Sequence, residues 1–383
     1  MGQSRQSEHE QFLAWLLDLI CTQKIDALIV SGDIFDTATP PNYALQIYYD
    51  FLKELSTIKS LSATIITAGN HDSIATLKAP KQLLQALNID VIASGDSDED
   101  VVIPIKKQDR VQAIVCAVPF LREGVIRRSF AAKTGTQKQK LANEGIKAYY
   151  EKVHQQAKAL QKKLGDSIPI IATGHLTTIG SSTSDSEQDI YIGGTLDIGG
   201  DYLAKLFDYV ALGHLHTNQK VGHDHVRYSG SVLPLSFSEA NRGKKVNIVQ
   251  FDAKDAQVQT LDIPQFRKLI KITGDNVAVQ NALEKIEDKR AWIEVDLQDS
   301  NPYIANQEIR QKADDLGLTL LAVKVAKTLK QLRKKELQAV SLQQYSATDL
   351  FQKRLELEEL EDEKLKERLL QSFKKVATKV QNR

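Results

Sequence analysis

The chain has 383 residues, 42% hydrophobic and 26% charged, with a formal net charge of +1. Such a length and balance suit a globular chain with one large domain and a smaller one, and give no overall signal for nucleic acid or membrane. No apolar run reaches the roughly 18 residues of a bilayer span, and the polar opening "MGQSRQSEHE" contains no secretory signal, so the cytoplasm is the expected compartment.

In chain order, residues 8–23 carry Phe12, Leu13, Leu16, Leu17, Leu19 and Ile20 at helical spacing, and "DALIV" (26–30) follows as a buried strand. After "GDIFDTATPP" come an amphipathic helix at 42–55, a strand at 63–67, a helix near 74–87 and strands near 90–93 and 111–117. A long helix near 137–164 and strands at 168–172 and 208–212 complete the alternation, which predicts an α/β domain with helices packed on sheets. From Arg227 short strands, "VRYSGS" and "KKVNIVQFD", suggest a second sheet. Residues 267–328 then read strand, helix, strand, helix, strand, a compact unit with its own apolar pattern. These shifts divide the chain into 1–263, 264–335 and a charged helical tail at 336–383. The tail is suited either to docking on a partner or to packing back on the body.

Cys21 and Cys116 lie far apart in apolar contexts and read as reduced buried thiols, so a metal would need nitrogen and oxygen ligands. The basic stretches 127–140 and 241–245 read as a solvated helix face and a hairpin tip, with phosphate contact the alternative. The Ser- and Gly-rich stretch 180–200 reads as a long surface loop.

One pattern recurs. Apolar runs end on a small residue, a glycine and a ligand-type side chain: "LIVSGD" at Asp33, "IITAGN" at Asn70, "IIATGH" at His175 and "VALGH" at His214, with His216 two residues on. If these are parallel strands of one sheet, their C-terminal ends share the edge where α/β folds place ligands. A donor set of Asp, Asn and His without Cys favours Mn, Fe or Zn, and two ions about 3.5 to 4 Å apart suit in-line hydrolysis of a phosphate ester. His71, beside Asn70, is a candidate general acid, and Asp36 and Asp72 are candidates to orient histidines or ligands. Each residue alone has a plainer reading as a turn, cap or hydrogen-bonding residue; the joint pattern favours metal.

"GDIFD", "GNHD", "TGH" and "GHLH", in this order, resemble the calcineurin-like metallophosphoesterases. "PFLRE", "DIYIGGTLD" and "VRYSGSVLPLSFSE" narrow the resemblance to the nuclease subunits that accompany the coiled-coil ATPase SbcC in bacteria, over nearly the whole chain. The resemblance implies a two-sheet β-sandwich core flanked by helices, a small α+β capping domain and C-terminal helices that grip the SbcC coiled coil. It also implies a Mn2+-dependent nuclease of DNA replication, recombination and repair, a double-strand 3'-5' exonuclease and a single-strand and hairpin endonuclease. The implied assembly holds two SbcC and two nuclease subunits, the latter dimerised through residues around 42–55 and 74–87. By position, Asp33 would bridge two ions, Asn70, His175 and His214 would hold the second, His216 the first, and His71 would protonate the leaving group.

The family begins with a strand and an Asp-x-His motif that complete the first metal site, and neither precedes "MGQSRQSEHE"; His9, in a polar helix start, is no substitute. With Asp33 and His216 alone at the first ion, the chain as given is expected to be poorly active or inactive. A phosphatase or small-substrate phosphodiesterase, and an inactive scaffold that still binds SbcC, are the competing readings.

Overall fold

The computed structural model describes residues 2–96, 100–126, 135–178, 181, 198–299, 301–325, 351 and 368–373. Helix α1 (Gln6–Thr22), strand β1 (Ala27–Ser31), helix α2 (Asn42–Thr57), strand β2 (Ala63–Thr67), short helices α3 (Ile74–Lys78) and α4 (Lys81–Gln85), and strand β3 (Ile89–Ile92) come first. They form a parallel three-stranded sheet in the order β1-β2-β3. In α2, Tyr48, Phe51, Leu52 and Leu55 recur three or four residues apart, so one face meets the sheet and joins Leu77, Leu84 and Ile66 in a common core. The single helix expected near 74–87 is divided at Ala79 and Pro80, because proline lacks the N–H that would continue the ladder and crowds the preceding turn.

The chain continues through β4 (Val102–Lys107), β5 (Arg110–Cys116), a short turn α5 (Glu123–Ile126), the long helix α6 (Gly135–Leu164), β6 (Ile170–His175), α7 (Gly200–Leu206), β7 (Tyr209–Gly213), β8 (Gln219–Val221) and β9 (His223–Tyr228). Here the sheet has six strands in the order β4-β5-β6-β7-β9-β8; β5, β6, β7 and β9 are mutually parallel and the outer strands antiparallel. Ile146, Tyr150, Val153 and Ala157 of α6, again at helical spacing, are sealed against it. "VRYSGS" does not open a second sheet as expected. It supplies β9, beside β7, because Val226 and Tyr228 belong to this same core. A 3-10 turn (Phe237–Glu239) and the hairpin β10 (Lys245–Asp252) and β11 (Asp255–Asp262) follow.

Residues 269–325 form the last described unit: β12 (Leu269–Gly274), α8 (Asn276–Glu284), β13 (Trp292–Leu297), α9 (Pro302–Asp315) and β14 (Thr319–Val325). The α+β unit expected here has an all-parallel sheet with a helix in each crossover, and its own core of Ile293, Val295, Leu297, Val279, Leu283 and Ile309. Most of the tail at 336–383, the basic segment 127–134 and most of the 180–200 stretch lie outside the described residues. Of the cysteines, Cys116 is buried as expected but Cys21 is exposed, since it lies on the side of α1 away from the core that its neighbour Ile20 enters. Among the described residues no helix is long and apolar enough to cross a membrane.

The small unit meets the body through an ion network. Glu8, 1% exposed, pairs with Arg5 in its own helix start and with Arg267 Nε at 3.1 Å, and Arg5 also donates to the Pro234 carbonyl at 2.7 Å. Both guanidinium groups lie over the Trp292 ring, at 5.3 and 4.7 Å from its centroid, and Trp292 packs with Phe237 and Leu269. Glu8→Ala leaves two cations without their shared anion. A loss of about 3 kcal/mol is expected in urea unfolding, the low end for a broken buried pair because both arginines keep some water.

Candidate metal centre

The strand ends do converge, but from two sheets rather than one. Asp33 and Asn70 follow β1 and β2 of the three-stranded sheet; His175 ends β6 and His214 follows β7 of the six-stranded one. The sheets meet at Ser31. Its hydroxyl donates to the Ala211 carbonyl at 3.0 Å, and its own carbonyl lies 3.0 Å from His175 Nδ1. A Cβ on Gly213 would sit 1.7 Å from that carbonyl oxygen, so only glycine lets β7 come this close. A Cβ on Gly69 would likewise stand 2.1 Å from Asp33 Oδ1.

A carbonyl only accepts, so His175 carries a proton on Nδ1 and turns Nε2 inward. That nitrogen faces Asp33 Oδ2 at 3.1 Å and Asn70 Oδ1 at 2.9 Å. The His214 ring stands 5.4 Å from the His175 ring, and donor atoms of Asp33, His175 and His214 all lie within 4.8 Å of one another. Nitrogen and oxygen atoms of these types gathered at one point suit a divalent ion. The cluster fits a metal.

Two of its members have left-handed backbone, Asp33 at φ 51° and His214 at φ 91°. For Asp that conformation is mild; for His it is costly and is held by the packing around it. Asp72 braces the loops: its buried carboxylate accepts from Gly69 N at 2.8 Å, Phe35 N at 2.9 Å and Ile34 N at 3.1 Å. It thus ties the segments carrying Asp33 and Asn70 rather than orienting a histidine. His71 donates its backbone N–H to Asp33 Oδ1 at 3.1 Å, and its Nδ1 meets the Asp36 carbonyl at 2.7 Å, so Asp36 contributes main chain and not its carboxylate. Arg122, exposed and absent from the candidate site residues, donates to the Asp72 carbonyl at 2.7 Å and lies over Phe120, whose ring meets His175 edge-on.

Residues 6–218 match the sequence profile of the calcineurin-like phosphoesterases, and 265–359 match that of the type 5 capsule protein repressor C-terminal domain. The chain belongs to the calcineurin-like phosphoesterases. It is 36% identical over 380 residues to the SbcD component of nuclease SbcCD from Escherichia coli K12, covering 97% of this chain and 93% of that protein. Against the SbcD component from Bacillus subtilis 168 it is 31% identical over 303 residues (77% and 75% covered), and against that from Rhodobacter capsulatus 30% over 286 (72% and 69%). The family implies divalent metal ions, which the cluster at Asp33, His175 and His214 suits.

In this phosphoesterase His216 stands outside that cluster and turns Nδ1 toward Glu239 Oε1 at 3.4 Å. Lys244, in the stretch expected to be a solvated hairpin tip, is instead buried against Glu239 at 2.6 Å. Glu239 closes the "VRYSGSVLPLSFSE" run and Lys244 lies in the basic stretch 241–245, but nothing in the sequence pairs them, because an ion pair five residues apart has no periodicity to reveal it.

The electrostatics keep the donors in their coordinating forms. Burial works against the Asp33 charge, but the hydrogen bond and charge of His175 and the His71 N–H outweigh it and hold the carboxyl below its usual range. Burial, then the charge of His175, pushes His214 from 6.5 down to about 4, so it is neutral at physiological pH. In the metal-free phosphoesterase, unfolding therefore takes up a proton at His214 between pH 6.5 and about 4. Stability falls across that window as pH drops, by up to about 3 kcal/mol from this group, and no further below it. His214→Asn should flatten that part of the profile in urea unfolding measured at a series of pH values.

Proposed function

We propose that this phosphoesterase is the nuclease subunit of an SbcCD-type complex, hydrolysing DNA phosphodiesters with two Mn2+ ions. The observation that carries the reading is the convergence of Asp33, Asn70, His175 and His214 donors from two sheets on one point, in a chain related along 97% of its length to a nuclease component. Asp33 would be shared by the two ions, with Asn70, His175 and His214 as the residues that would hold the second and His216 the one that would hold the first. When bound, the ions supply positive charge that polarises the phosphoryl group and eases loss of a proton from the attacking water. His71 presents Nε2 to the leaving oxygen and protonates it, with Nδ1–H anchored on the Asp36 carbonyl. Asp72 keeps the Asp33 and Asn70 loops in register.

The division at 263 and 264 makes the small unit a capping domain beside the site, and the tail at 336–383 the grip for SbcC. A polymer substrate suits that arrangement better than a small ester. Cleavage of linear duplex DNA by the purified chain is expected to be Mn2+-dependent. His71→Ala should lower it about 10²- to 10⁴-fold, the usual worth of a positioned general acid. Turnover of bis(p-nitrophenyl) phosphate without any cutting of DNA would overturn the nuclease assignment. Retained SbcC binding with no hydrolysis of either substrate would favour the scaffold.

We further propose that two copies pair through α2 and α4, which present Tyr43, Tyr49 and Leu83 at 44%, 38% and 69% exposure, with Leu87 just beyond at 39%. Leu83→Glu should convert a dimer to a monomer in sedimentation velocity; a wild-type chain that sediments as a monomer at all concentrations would sink this interface.

A further inference from the structure

Glu239 is fully buried and Lys244 is 7% exposed. The lysine ammonium has three donors and three acceptors around it: Glu239 Oε2 at 2.6 Å, Ser231 Oγ at 2.7 Å and the His216 carbonyl at 2.9 Å. Glu239 Oε2 also accepts from Leu235 N at 3.2 Å, which turns Oε1 toward His216 Nδ1 at 3.4 Å. The pair therefore holds His216 twice, by its ring and by its main chain. Removing two opposite charges from water gains little net stability, so such a pair is better explained by what it orients.

We propose that Glu239, fixed by Lys244, is a positioning residue for His216: it keeps the imidazole proton on Nδ1 and presents Nε2 to a divalent cation. Carboxylate-to-histidine contacts of this kind fix the tautomer and ring direction of a ligand, and their loss commonly weakens metal binding about 10- to 100-fold. The inference rests on the reading of His216 as a metal ligand.

The test uses the full chain with 15N-labelled histidine, whose eight histidines give a tractable spectrum. His216→Gln assigns the His216 signals, and Zn2+ serves as a diamagnetic probe. The wild type should show His216 as the Nδ1–H tautomer, with a coordination shift at Nε2 on adding Zn2+. Glu239→Ala combined with Lys244→Met removes both charges of the pair together. In it the tautomer should relax to a mixture, and the Zn2+ needed for the His216 shift should rise about 10- to 100-fold. Glu239→Gln with Lys244→Met, which keeps an acceptor oxygen, should restore the Nδ1–H form. An unchanged tautomer and Zn2+ response in the Ala variant would overturn the positioning role while leaving His216 a ligand. Zn2+ shifts at His175 and His214 with none at His216 in the wild type would remove the ligand reading itself, and this proposal with it.

Discussion

The site depends on one contact between sheets, the Nδ1–H of His175 donated to the carbonyl of Ser31. It does two things at once. It joins the end of β6 to the end of β1, and it points the ring's Nε2 at Asp33 and Asn70. Nitrogen and oxygen atoms from both sheets thereby face a common point that suits a divalent cation.

Everything nearby keeps that contact in place. Gly213 admits the Ser31 carbonyl where any side chain would collide with it, and Asp72 staples the two loops of the smaller sheet with three backbone hydrogen bonds. Strain at Asp33 and His214 is tolerated because both residues are held from several sides. Burial then keeps His214 neutral, so its ring enters the cluster as a donor of electrons rather than as a competing cation.

The 3-10 turn at Phe237–Glu239 links this chemistry to the rest of the chain. Phe237 packs with Leu269 and Trp292 at the start of the small unit, where Arg5, Glu8 and Arg267 close the junction, while Glu239 two residues later reaches His216. Docking of the small unit and placement of one candidate ligand thus share three residues of backbone.

The periodicities of α2, α6 and the small βαβαβ unit, and the repeated strand ending at Asp33, Asn70, His175 and His214, were all legible in the sequence. Helical and strand spacing are local properties, and a glycine before a polar residue at the end of an apolar run is a local signal too. The sequence could not show that these endings belong to two sheets, that "VRYSGS" joins the larger one, or that Cys21 is exposed. Nor could it separate the roles of Asp36, which contributes a carbonyl, and Asp72, which contributes a brace. The pairing of Glu239 with Lys244, and of both with His216, was invisible for the same reason: strand order, burial and the facing of one polar atom to another are set by contacts that only folding brings together.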